Sequence, residues 1–178
     1  MSSLQKFHRR TNGGVPVVKL LGSESPVAGG GFYMGLAGDG TSYMYQAPKS
    51  TEGRFGPWGS KGTTRGTIST TNGISNTNTL ASLGSAAHPA ATNCKNLTTG
   101  GYNTWYLPAK DELMTLWTNR NSNAAQAMSG NYSYASSTED SSSYAWYFRP
   151  ASSSFVNSGS YADKSLNWTH RAVRRALV

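Results

Sequence analysis

The chain has little of what most chemistry requires. Its single cysteine, Cys94, excludes an internal disulfide framework and any multi-cysteine zinc site. Charged residues make up only 13% of its 178 positions, about half the share of an ordinary domain. No apolar run approaches the roughly 20 residues that cross a bilayer, so no membrane insertion is expected. The opening MSSLQKFHRRTNGGVPVVKLL has no apolar stretch behind its positive charges, so a secretory signal is not expected. Of three histidines, His8, His88 and His170, none pair at the i, i+4 spacing that holds a metal on a helix. No G-x-S-x-G elbow occurs among the serines. The acidic pairs Asp111-Glu112 and Glu139-Asp140 are sequence neighbours, not the facing carboxylates of glycoside hydrolysis. His88 and Cys94 lie six positions apart with no orienting group evident, and read as packing residues. No cofactor and no enzymatic activity are expected.

What fills the chain instead is small and polar. Ser, Thr, Asn and Gly occupy 76 of 178 positions, a composition that favours turns over helices. Five Trp, ten Tyr and five Phe supply too much apolar surface for a disordered chain. The net charge of +8 sits at the ends. Lys6, Arg9, Arg10 and Lys19 open the chain, and Lys164, Arg171, Arg174 and Arg175 close it. Residues 21–163 balance eight bases against eight acids. A nucleic-acid reader would carry its basic groups among aromatics on one folded face, so none is expected. The opening charges read as an assembly anchor (Lys6, Phe7, Arg9, Arg10) within an arm and first strand covering residues 1–26, ahead of a domain at 27–178.

The periodicities predict an α+β domain. Val15 to Leu21 is β-branched and apolar, a first strand. Residues 32–36 and 42–46 flank Gly38-Asp39-Gly40, a hairpin signal. Residues 50–73 read as a long ordered loop. A broken helix is predicted from Asn76 or Thr77 to Cys94, interrupted at Gly84 and Pro89. A clearer one spans 109–119, with Leu113, Leu116 and Trp117 on one face, Pro108 at its entry, and Asp111 and Glu112 in its first turn. Residues 132–136, 144–149, 154–157 and 171–178 read as an antiparallel meander, with the helices segregated on one side of the sheet.

Several of these segments form a familiar series. The run Gly100-Gly101-Tyr102-Asn103-Thr104-Trp105-Tyr106-Leu107-Pro108 with Glu112-Leu113 resembles the GG-x-x-DWRLP-x-x-x-EL signature of the DUF1566, or Lcl C-terminal-like, domains. Tyr134 to Glu139 is similar to their YWSSTE element, Tyr144 to Tyr147 to their AW strand, and Arg171 to Arg174 to their R-x-VR ending. Gly73 to Thr77 and Ala90 to Cys94 are similar to their DG-x-x-NT and AA-x-x-C helix. Tyr106, Thr104 and Ala135 stand where the signature has Arg, Asp and Trp. The resemblance covers about residues 28–178.

It implies a C-type lectin-like fold of antiparallel sheets, two helices and long ordered loops. It also implies a place among phage tail-fibre and virion surface proteins, in host attachment through a glycan or protein or in capsid decoration. Partners would be other virion proteins and a host surface, and a homo-oligomer, such as a trimer, would suit a fibre. Calcium-dependent sugar binding is not implied, because the E-P-N and W-N-D elements it needs are missing. Nor is formylglycine-generating chemistry, which uses two cysteines on a related fold. Trp105, Leu107, Pro108, Glu112, Leu113, Trp146, Arg171 and Arg174 read as scaffold, with Glu112 accepting from Arg171 or Arg174. The Ser136-to-Glu139 stretch reads as a turn whose hydroxyls satisfy loop backbone. Tyr132, Tyr144, Tyr147 and Tyr161, set among serines, are the candidate ligand-binding residues, since Tyr gives contact area at low entropic cost.

Overall fold

The computed structural model describes residues 7–12, 15–53, 56–148 and 160–177, with residues 7–18 and 160–162 described by backbone alone. In chain order its elements are β1 (Phe7–Asn12), β2 (Val15–Leu20), β3 (Phe32–Leu36), β4 (Tyr43–Gln46), α1 (Gly73–Ser82), α2 (Pro89–Lys95), α3 (Lys110–Thr118), β5 (Tyr134–Glu139), β6 (Tyr144–Phe148), β7 (Ser160–Asp163) and β8 (Val173–Ala176). The class is α+β, with strand pairings that are all antiparallel between named strands.

Local chemistry explains most of these elements. Asp39 accepts from the backbone N–H of Thr41 and Ser42, each at 2.8 Å, and closes the β3–β4 hairpin with Gly40 at φ +69°. The register slips between Tyr33 and Gly35, and the bulge needs Gly35, whose φ is +111°. Asn72 caps α1 by accepting from Ser75 N–H at 3.1 Å, so the helix begins earlier than Asn76. Gly84 and Pro89 do more than interrupt one helix: they separate α1 from α2. In α3, Glu112 reaches back to accept from Ala109 N–H at 2.9 Å, and Leu113, Leu116 and Trp117 face the core.

The strands divide into two three-stranded sheets and one hairpin among the described residues. β1 pairs only with β2, from Phe7 opposite Leu20 to Asn12 opposite Val15, so part of the expected arm is strand. One sheet runs β3-β4-β8 and the other β5-β6-β7. This corrects the expected four-strand meander, because the last strand leaves its sequence neighbours to pair with β4. Every residue of β4 is buried, and an edge there would leave ladder groups unpaired. The expected strand at 154–157 lies outside the described residues.

The helices do not line one side of a single sheet. α3 packs against β3, β5 and β6, strands of both sheets, while α1 packs against α2 and β5. One core joins Met34, Met44, Leu116, Trp117, Phe148 and Val173 around α3. A second joins Trp58, Leu80, Cys94, Trp105, Leu107 and Ala172 beside α1 and α2. Among the described residues, no helix is long and apolar enough to cross a membrane.

Candidate functional site

The motif residues form the frame. Trp105 and Leu107 are buried, and Tyr106 between them pairs with Val173 through N–H···O bonds of 2.8 and 2.9 Å. Pro108, also buried, ends that segment, and its carbonyl accepts from Ser137 N–H at 2.8 Å. Leu113 points into the core, and Trp146 lies half-buried with the Lys110 ammonium 4.2 Å from its ring centre.

The partner expected for Glu112 is corrected. It is Arg175, which donates Nη2 and Nε to Glu112 Oε1 at 2.8 and 3.2 Å. Strand alternation is the reason. Val173 and Arg175 share the β8 face toward α3, and Arg174 lies on the other. There Arg174 sits 3.7 Å from the Tyr102 ring and 4.4 Å from the Tyr45 ring, and donates to Gly30 O at 2.7 Å. Arg171 pairs with Glu52 at 2.6 Å, and Tyr134 donates its hydroxyl to the same carboxylate at 3.0 Å.

The expected turn at Ser136 to Glu139 is instead a buried strand, yet its side chains do bind loop backbone. Ser136 donates to Trp146 O at 2.8 Å and Thr138 to Ser69 O at 2.8 Å. Glu139 accepts from Arg65 N–H and Gly66 N–H at 2.8 Å and from the buried Lys164 ammonium. Lys164 also donates to Thr63 O at 3.1 Å and lies 5.0 Å from the Trp58 ring centre. Trp58 in turn donates Nε1 to Ser136 O at 2.8 Å. His88 donates Nδ1 to Trp58 O at 2.6 Å, and burial pushes its pKa below the usual 6.5, with Arg65 and Lys164 acting the same way. Residues 58–67 are thereby fastened to β5 from below.

Above this frame lies a tip built from three segments. Gly62 N–H donates to Ser142 O at 3.0 Å, Lys61 pairs with Asp163, and Ser165 donates backbone and hydroxyl to Asp163 Oδ1 at 2.9 and 2.7 Å. Lys61, followed by Ser165, holds the Asp163 carboxyl down at about 2. Tyr144 stands at the start of β6, 42% exposed, with Leu166 on the neighbouring turn 49% exposed.

The four candidate tyrosines do not converge on one surface. Tyr144 and Tyr147 fall on opposite faces of β6, by alternation. Tyr147 stacks on Trp168 with ring centres 4.1 Å apart. Tyr132 packs against the α3 core. Tyr161 pairs in register with Trp146, and its side chain lies outside the described residues. So does Lys6; Phe7, Arg9 and Arg10 are placed on β1 by backbone alone.

Lys61, Asp163 and Leu166 escaped the sequence reading, and Lys164 entered it only as one of the closing charges. Lys164 meets partners 25 and 101 positions away, so no local pattern marks it. Burial pushes the Cys94 thiol well above its usual pKa, which suppresses the thiolate. Among the described residues, no group of three His, Cys, Asp or Glu could hold a metal ion. The chain matches no family model and no curated protein.

Proposed function

We propose that this is a non-enzymatic virion protein presenting a C-type lectin-like domain that binds a host-surface glycan or protein through the Tyr144 tip. One observation carries the reading: an exposed aromatic stands among hydroxyl-rich loops whose backbone is fixed by a fully buried ion pair. Binding loops gain affinity when their order is established before the partner arrives. Tyrosine adds contact area at small entropic cost, while serine and threonine supply adaptable donors and acceptors. The resemblance to DUF1566-like domains supplies the virion setting. The test is retention of the purified chain on bacterial cells, compared with Tyr144→Ala. Retention that falls with the variant supports the reading, and no retention on any susceptible host overturns it.

A second reading, capsid decoration, draws on the β1–β2 hairpin. Its strands join neither sheet, and an isolated two-stranded hairpin is marginal in water without something to pack on. Its sequence holds Arg9 and Arg10, suited to an acidic neighbour, while the Lys19 ammonium is engaged by the Tyr45 hydroxyl and the Tyr43 and Tyr45 rings. If it anchors the protein, deleting residues 1–14 abolishes incorporation into particles and leaves the domain folded. Normal incorporation of the truncated chain defeats the anchor.

A further inference from the structure

Residues 59–67 cross the buried Lys164–Glu139 pair as a strap. Residues 60–64 and Gly66 are exposed, while the inner side holds the pair through Thr63 O, Arg65 N–H and Gly66 N–H. Gly62 and Gly66 sit at φ +86° and +74° with open space around each, so the strap turns at both without a clash. Its near end is fixed by one histidine. His88 is fully buried at the head of α2, edge-on to the Trp58 ring with 5.3 Å between centres. A Cβ at position 59 would stand 2.4 Å from His88 Cε1, so the ring fills the place that Gly59 leaves.

The seam between strap and body is poorly satisfied. His88 Nε2, Arg65 Nε and Thr67 Oγ1 are buried with no hydrogen-bond partner among the described residues. Each such atom costs free energy only while it stays buried, so opening the strap to water recovers that loss. Local openings are drawn from weakly held segments of this kind.

Acid acts on one of the three. Trp58 O only accepts, so Nδ1 carries the proton of the neutral ring and Nε2 is a bare acceptor. A second proton turns Nε2 into a donor with nothing to receive it. The charged groups that act on the ring are Arg65 from the strap, Lys164 from the turn after β7 and Glu139 from β5. Two of them are cations, and the carboxylate is already held by Arg65 N–H, Gly66 N–H and Lys164. The closed strap therefore keeps the ring neutral, with burial the largest cause. Once water reaches the ring, it takes a proton near its ordinary 6.5. Protons then bind the open strap in preference to the closed one, so falling pH favours opening.

We propose that His88 is a pH-sensitive latch: acid releases residues 59–67 from β5 and α2 while the rest of the domain stays folded. Opening breaks the Gly62 N–H bond to Ser142 O and draws Lys61 from Asp163, so the tip beside Tyr144 loosens as well. The latch does not rest on what that tip binds.

The test is amide hydrogen exchange of the full isotope-labelled chain at about pH 7.5 and about pH 5.5, each rate taken relative to the intrinsic rate at that pH. Protection of the Gly62, Arg65 and Gly66 N–H groups is expected to fall by up to about tenfold, the change that one group titrating near 6.5 gives over that interval. These amides should exchange well before those of Leu113, Leu116 and Trp117 in α3, which report global unfolding. His88→Asn keeps a donor for Trp58 O and has no group that titrates in this range, so its strap protection should be equal at both pH values. The proposal is overturned if strap protection in the parent does not change with pH, if strap amides exchange only together with those of α3, or if His88→Asn shows the parent's fall. The first two outcomes decide the matter even where the variant does not fold.

Discussion

Lys164 Nζ meets Glu139 Oε1 where neither side chain reaches water, the two being 0% and 1% exposed. Such a pair repays its desolvation only while both partners are present. Glu139→Leu strands an ammonium and releases the Arg65 and Gly66 N–H groups. It should cost about 3–5 kcal/mol, read from the shift of the urea unfolding midpoint. Lys164→Met should cost a similar amount. The double variant should lose clearly less than the two singles together, because neither charge is then left alone. Additive losses would show that the two residues stabilise the fold separately.

Acid should act through histidine before it acts through carboxylates. Burial holds His88 and His170 below the usual 6.5. The unfolded chain therefore takes up protons near 6.5 while the folded one does not, and stability falls as pH drops through that region. A proton on His88 would also add a third cation beside Arg65 and Lys164, with the Glu139 carboxylate acting against them. The carboxylate contribution runs lower. Asp163, held at about 2, keeps its share above the usual 3.8 and loses it only as pH falls toward 2. The thermal midpoint should fall between about pH 7 and about pH 5. His88→Asn should flatten that slope. An unchanged slope would remove His88 from the account.

Gly73 opens α1, where helix propensity alone favours alanine by about 1 kcal/mol. Packing opposes the exchange. A Cβ at 73 would stand 2.5 Å from Glu112 Oε2 and 2.8 Å from Leu107 O. It would also disturb the Gly73 N–H bond to Glu112, 3.2 Å long. Gly73→Ala should therefore destabilise by about 1–3 kcal/mol. Asn78→Ala, at an exposed position of the same helix, should leave stability equal or slightly raised. Denaturant midpoints of the two variants check the difference in sign.

The local elements were legible because their causes are local. Leu113, Leu116 and Trp117 mark α3 by spacing, and Asp39-Gly40 marks the β3–β4 connection by turn chemistry. Pairing over long distance was not legible. Nothing near Val173 says that β8 joins β4, and once it does, alternation decides that Arg175, not Arg174, meets Glu112. The tip was half visible: Tyr144 stands out among serines, but Lys61 and Asp163 come together only once β7 pairs with β6.

Two ion pairs should respond very differently to a change in the cation. Lys61 pairs with Asp163 from a side chain 51% exposed. Water and salt already screen that attraction, and holding a long side chain still costs entropy. Lys61→Ala should leave the unfolding midpoint where it is. Arg175 is 16% exposed and joins Glu112 to Asp39, the latter at 3.0 Å. It also donates to Thr71 O at 2.7 Å, so one guanidinium ties α3, the β3–β4 turn and the entry of α1 to β8. Lysine cannot reproduce that fork, because its ammonium is a single point on a flexible stem. Arg175→Lys keeps the charge and should still cost about 1–3 kcal/mol. Equal midpoints for Arg175→Lys and the parent would mean that charge alone, not guanidinium geometry, holds the three segments together.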